Sequence, residues 1–514
     1  MKTAILLIWS LLLCLHPTIG QNAVSLVQIK SGKVSGGITA DGKITSFKGI
    51  PFAAPPVGDL RWKAPQPVKP WEGVKECTSF GASPMQGKPV PFSMWSKEFL
   101  IPDEPISEDC LYLNIWTGAK SSKEKLPVLV WIYGGGFQSG GSGVPIYDGE
   151  ATARKGIVFV SINYRVGVFG FLAHPELTAE SPNKASGNYG LLDQVAALKW
   201  VNENIAAFGG DPSNVTIAGQ SAGSMSVNCM VATPLAKGLF NRAIPESGAN
   251  FGRNQPSLQQ AEEAGVKLAE TMSAGSLADL RKVSPEELMK APWGLRGSII
   301  DGYVLPAHIA DIFAAGKQNQ VDLLTGWNQD EGLLFGPVKN ASDFKAQISQ
   351  QYGDNAGKVL TYYPASDDAE ATQSQLNLSR DMIFGLQNYA WANVQAKQGK
   401  TNVYVYRFTR KVPGTGEYAK YGAFHTGEVP YAYDNLEFVD RPWEAVDREL
   451  EATMSGYWAN FVKTGNPNGK SLPEWPTYKP DAKQVMLLGA EVEAKPIPDG
   501  AALDAMAAIL STNK

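Results

Sequence analysis

The sequence predicts an α/β protein with a large, mostly parallel central sheet, helices on both faces and a small N-terminal antiparallel meander. Three observations carry that expectation. The runs from Pro127 to Tyr133 and from Ile157 to Asn163 are continuously apolar, as strands covered on both faces are. Leu191, Val195, Leu198, Val201, Ile205 and Phe208 recur at spacings of three and four, the period of a helix with one buried face. Val215-Thr216-Ile217-Ala218 is short, apolar and β-branched, so the order strand, helix, strand implies parallel crossovers and a doubly wound sheet.

Taken in order, the chain opens with Lys2, an apolar stretch from Ala4 to Leu15 and small residues before Gln21. This is the form of a secretory signal over residues 1–20, cleaved near Gly20/Gln21. Its apolar run is shorter than a membrane span needs, so the expected product is secreted or periplasmic, without stable membrane insertion. Three cysteines remain after cleavage, Cys77, Cys110 and Cys229. In an oxidising compartment the simplest account is a Cys77–Cys110 disulfide, worth roughly 3–4 kcal/mol by loop-closure entropy, with Cys229 a buried small hydrophobe.

From Val24 to Gly49 short segments broken by Gly32, Gly36 and Gly37 predict the meander, and Ile50 to Trp62 reads as proline-rich irregular chain laid over the sheet. The loop between Cys77 and Cys110 carries Met85, Phe92, Met94, Trp95 and Phe99. So apolar a loop is suited to lining the mouth of a pocket or to packing on its own scaffold. Residues 255–293 and 341–398 read as mostly helical, and nothing catalytic is legible in the second stretch. Further strands are expected at Val321 to Gly326 and Val403 to Phe408, and late helices around Arg448 to Lys463 and Ala501 to Leu510. There is no internal repeat and no low-complexity linker, so residues 21–514 are expected to form a single domain with helical insertions.

Charge narrows the function classes. Over 514 residues the formal net charge is −4, with no basic surplus to bind nucleic acid and no charge run to bind an acidic membrane. The chemistry instead concentrates at Gly219-Gln220-Ser221-Ala222-Gly223, where a buried strand gives way to a helix. A serine on so tight a turn projects above the carboxyl end of the sheet, and the flanking glycines leave it room. The Ala222 N–H starts the helix on the same side. After the strand at 127–133, Gly134-Gly135-Gly136 allows further backbone N–H groups to converge, the geometry of an oxyanion hole.

Four longer blocks extend this pattern: Gly49-Ile50-Pro51 through Pro55-Pro56-Val57-Gly58 to Leu60-Arg61-Trp62; Glu108 to Asn114; Phe208-Gly209-Gly210-Asp211-Pro212 through Val215-Thr216 to the Gly219–Gly223 turn; and Tyr457 to Phe461 through Gly465-Asn466-Pro467. In these blocks the chain resembles the type-B carboxylesterases, the branch of the α/β-hydrolase fold that includes cholinesterases and bacterial nitrobenzyl-type esterases. The resemblance implies a serine esterase that needs no metal or cofactor and acts on a small-molecule ester. It implies Ser221 as nucleophile, His425 as base and Glu331 as the acid. It also implies Gly135, Gly136 and Ala222 as the oxyanion hole, and support behind them from Ser247 and Glu428. A hydroxyl is too weakly acidic to attack an ester unaided, so an imidazole takes its proton and a carboxylate holds the imidazole's tautomer.

Of the four histidines, His16 is in the leader, His174 precedes Pro175 and His308 stands at a helix start. Chemistry alone leaves Asp330 open beside Glu331; the resemblance chooses Glu331. Three departures from the family pattern stand out. Gln220 replaces a common Glu, which counts against quaternary ammonium esters. Thr426 follows the base where Gly is usual, and Pro245 occupies a strand end. Two other functions stay in view: a lipase activated at an oil–water interface, and a non-catalytic adhesion member of the fold.

Overall fold

The computed structural model describes residues 23–291, 297–333 and 337–512. The expected signal segment and its cleavage site lie outside them. The centre is an eleven-stranded sheet. Its strands are β1 (Gly37–Ile38), β2 (Thr45–Pro51), β3 (Tyr112–Thr117), β4 (Leu126–Ile132), β5 (Val158–Ile162), β6 (Gly210–Gln220), β7 (Arg242–Glu246), β8 (Asp322–Asn328), β9 (Val403–Phe408), β10 (Gln484–Leu488) and β11 (Val492–Pro496). Across the sheet they run β1-β2-β3-β5-β4-β6-β7-β8-β9-β10-β11. From β5 through β10 every pairing is parallel, and the antiparallel pairs stand at the two edges.

The parallel strands are apolar throughout because both faces are covered: every residue of β5 is buried, as is Val128 to Ile132 of β4. Helix α1 (Tyr189–Asn204) continues as a tight turn to Phe208 and stops at Gly209, whose φ is +81°. A Cβ there would stand 2.2 Å from that of Ala119, so only glycine closes this helix against the sheet. Helix α2 (Ala222–Ala232) follows β6 after a single intervening residue. In β7, Pro245 offers no N–H. Its carbonyl instead accepts hydrogen bonds from Thr325 Oγ1 (2.9 Å) and Asn388 Nδ2 (3.4 Å), which stitch the strand to β8 and to the helix behind it.

The stretch read as helical does hold helices α3 (Asp368–Arg380) and α4 (Leu386–Gln398), joined by a π-helical turn over Asp381–Gly385. Helix α5 (Ala445–Thr464) ends on Gly465. Near the N-terminus, Leu26–Ile29 and Gly32–Ser35 form the expected hairpin, and Val74–Glu76 adds to it in parallel, a pairing the proline-rich chain did not announce. No helix among the described residues is long and apolar enough to cross a membrane.

One expectation is corrected. Cys77, Cys110 and Cys229 are all free, buried thiols, so Cys77 and Cys110 form no disulfide. Each of the two is fixed by different neighbours. Cys77 is pinned through its backbone, donating to Ser35 O and accepting from Lys48 N, while Cys110 packs beside Arg61, Glu108 and Arg165. The loop between them is held without a covalent tie: the Gln86 side chain both donates to and accepts from Gly140 at 2.8 Å, and Arg61 grips Glu108 through two nitrogens.

Candidate active site

β6 ends at Gln220 and α2 begins at Ala222, which leaves Ser221 alone on the turn with φ +59° and ψ −123°. A serine pays of order 1–3 kcal/mol for such a backbone. The turn is held by Ser221 N–H donating to Glu246 O and Met225 N–H donating to Ser221 O, each at 2.9 Å. The flanking glycines are required by contact. A Cβ on Gly223 would stand 2.0 Å from Ile132 O at the end of β4, and one on Gly219 would stand 2.6 Å from the same atom.

The Gly134–Gly136 turn that follows β4 therefore lies against the serine: a Cβ on Gly134 would be 3.0 Å from Ser221 Cβ. Gly135 (φ +107°) and Gly136 (φ +61°) line the same cavity as Ser221. Among the described residues, the N–H groups of Gly135, Gly136 and Ala222 donate to no acceptor. The last is unpaired because it heads a helix.

His425 lies on the loop after β9 and is 2% exposed. Its Nδ1 is 2.9 Å from Glu331 Oε2, and Glu331 Oε1 accepts the Asn328 N–H at 2.8 Å. Such a carboxylate accepts from Nδ1–H, which leaves the Nε2 lone pair for a proton. Asp330 turns the other way, accepting the Ala423 N–H at 2.8 Å, so the structure brings Glu331 and not its neighbour to the imidazole. Ser221 and His425 face one cavity, and Ser221 Oγ makes no hydrogen bond to a described residue. His174 instead accepts the Glu176 N–H at the start of a short helix, and His308 precedes the helix Ile309–Ala314.

The cavity has a volume of about 1320 Å³, above the roughly 300–1,000 Å³ of common small-molecule sites. Val90, Phe92, Met94, Trp95 and Phe99 form part of its wall, where the apolar loop was expected, whereas Met85 packs elsewhere.

Behind the imidazole and its carboxylate lies a buried polar layer. Glu428 accepts from Asn328 Nδ2, the same asparagine whose N–H holds Glu331. Glu246 Oε1 accepts from Tyr433 Oη (2.8 Å) and Trp458 Nε1 (2.9 Å). Ser247 Oγ, Glu246 Oε2 and Glu428 Oε1 have no partner among the described residues. Burial pushes the Glu246 carboxyl up to about 7. Glu428 lies well above the usual carboxylate range, from burial first and then from the charges of Glu246 and Glu331.

Sequence reasoning missed Glu246, Asn328 and Phe384. Phe384, on the π-helical turn, stacks on the His425 ring with centroids 4.3 Å apart and planes at 20°. No spacing rule marks a lone phenylalanine in a helical stretch. Asn328 had one signal available, its place at the end of a buried strand, where α/β sheets carry their chemistry.

The model of the carboxylesterase family matches residues 23–503. The chain is 37% identical to the fumonisin B1 esterase of Sphingopyxis macrogoltabida over 481 residues, covering 90% of this chain and 86% of that one. It is also 37% identical to the para-nitrobenzyl esterase of Bacillus subtilis over 498 residues, covering 92% and 96%. A solved PNB esterase structure superposes with a TM-score of 0.81 at 33% identity, covering 94% of this chain and 99% of that one. With the family match running nearly end to end over an α/β-hydrolase sheet, the chain belongs to the carboxylesterase family and is a carboxylic-ester hydrolase.

Proposed function

We propose that the protein cleaves carboxylic esters through an acyl-enzyme intermediate formed on Ser221. His425 accepts the serine proton through Nε2 and returns it to the leaving alcohol, and Glu331 holds the Nδ1–H tautomer and stabilises the imidazolium. The N–H groups of Gly135, Gly136 and Ala222 receive the negative charge that develops on the carbonyl oxygen, each donor worth about 10²–10³ in turnover. One observation carries this reading: a buried imidazole–carboxylate pair, 2.9 Å apart, opens onto the same cavity as a serine held in a strained turn. The cavity has room for a bulky ester, and two of the relatives are named for fumonisin B1 and para-nitrobenzyl esters.

Ser221→Ala is expected to abolish both p-nitrophenyl ester turnover and covalent labelling by a fluorophosphonate. Unchanged turnover in that variant removes the mechanism. Retention of Ser221, Glu331 and His425 together argues against a purely adhesive role. The leader-like N-terminus supports export to a secreted or periplasmic location. Burial pushes the Cys77 thiol up to about 11 and the Cys229 thiol up to about 12, so both would stay unreactive in an oxidising compartment.

A further inference from the structure

The family-pattern departures Gln220 and Thr426 touch each other and the imidazole. Gln220 Nε2 lies 3.3 Å from His425 Nδ1 and 3.2 Å from Nε2. An atom so nearly equidistant from both nitrogens and lying in the ring plane would collide with ring carbons on either side. The amide therefore stands over one face of the ring, and Phe384, stacked at 4.3 Å, covers the other. Glu331 holds the Nδ1 edge, so the Nε2 edge is left for the serine.

The amide is itself oriented. Thr426 Oγ1 donates to Gln220 Oε1 at 3.3 Å, and Trp95 Nε1 donates to Thr426 Oγ1 at 3.2 Å. Donation runs in one direction throughout, from the indole to the hydroxyl, from the hydroxyl to the amide carbonyl, and from the amide nitrogen to the imidazole. Gln220 and Thr426 are 2% and 5% exposed, and Trp95 belongs to the apolar loop on the cavity wall. Thr426 has φ +80°, a backbone region that a β-branched residue rarely enters. A glycine would sit there without strain, so the hydroxyl is kept against local backbone preference.

We infer that Gln220 and Thr426 are positioning residues for the base, and that Trp95 ties the substrate-facing loop to them. This rests on the Ser221–His425–Glu331 reading. A carboxylate at 220 presents no donor to the ring face and favours the imidazolium.

The test is steady-state hydrolysis of a p-nitrophenyl ester by the full chain and its variants, across pH. Thr426→Val and Thr426→Gly are expected to lower kcat by about tenfold with KM within about twofold, as for an interaction felt in the transition state. Thr426→Ser, which keeps the hydroxyl, is expected to restore kcat. On a Gln220→Ala background, Thr426→Val is expected to cost nothing more, because the two act as one unit. Gln220→Glu is expected to move the acid limb of kcat to higher pH by about one unit or more.

Because glycine relieves strain at position 426, a loss of rate in that variant with undiminished thermal stability is not a folding defect. A wild-type kcat in Thr426→Val, a Thr426→Ser variant as impaired as Thr426→Gly, losses that multiply with Gln220→Ala, or an unmoved acid limb in Gln220→Glu would each overturn the inference. A wild-type enzyme that a fluorophosphonate does not label removes the triad reading and this one together. A labelled wild type with an indifferent Thr426→Val removes this one alone.

Discussion

Glu246 is fully buried at the end of β7, with one oxygen held by Tyr433 and Trp458 and the other unpartnered among the described residues. Its carboxyl is raised from about 4.5 to about 7 by burial. At this group the folded state therefore binds more protons than the unfolded one across that interval, so Glu246's contribution to stability is greatest below about 4.5, falls as pH rises toward about 7 and levels beyond it. Glu246→Gln keeps an oxygen for Tyr433 and Trp458 but has no proton to lose. Its urea midpoint is expected to fall less between pH 5 and pH 8 than the wild type's. At pH 8 the variant is expected to be the more stable by roughly 1–3 kcal/mol. Glu428, also raised by burial, keeps the variant's midpoint falling somewhat over the same range. Equal slopes in the two proteins would show that Glu246 carries no such burden.

Among the elements, those with a strong local code were the legible ones. β4, β5 and α1 announce themselves by apolar continuity or a helical period, and the Ser221 turn by glycines that the packing of Ile132 O makes obligatory. The meeting of Glu331 with His425 was accessible through resemblance, because residues 94 positions apart have no local signal to join them. Phe384 was hidden for another reason: the π-helical turn Asp381–Gly385 shifts the side-chain phase of an otherwise helical stretch, and such turns recur at functional sites. The cysteine pairing failed because counting thiols cannot say whether two side chains are near, and here backbone hydrogen bonds and the Arg61–Glu108 pair secure the loop instead. Dithiothreitol is accordingly expected to leave melting temperature and activity unchanged. Alkylation after denaturation without reductant is expected to modify Cys77, Cys110 and Cys229 alike; protection of two of them would restore the disulfide.

At the scale of the whole molecule, the choice between esterase and interface-activated lipase turns on whether the cavity wall moves. Interfacial activation requires an apolar cover that swings away on meeting oil, and the loop bearing Val90 (68% exposed) and Phe92 (58% exposed) is the apolar candidate beside this cavity. It is fastened to the rest of the molecule at three points: Gln86 to Gly140, Met94 O to Arg441, and Trp95 to Thr426 beside the base. Swinging it open would break the last of these bonds and unseat the contact next to His425, so opening and catalysis would oppose each other. Two exposed apolar side chains are also too little surface to mark an interaction patch by themselves. The rate on a short-chain triglyceride is therefore expected to saturate smoothly with concentration and to show no jump where the substrate passes its solubility limit and forms droplets. A severalfold rise at that point would mean that the wall moves despite its fastenings. A Trp95→Phe variant that enhanced the rise would identify the Thr426 contact as the catch.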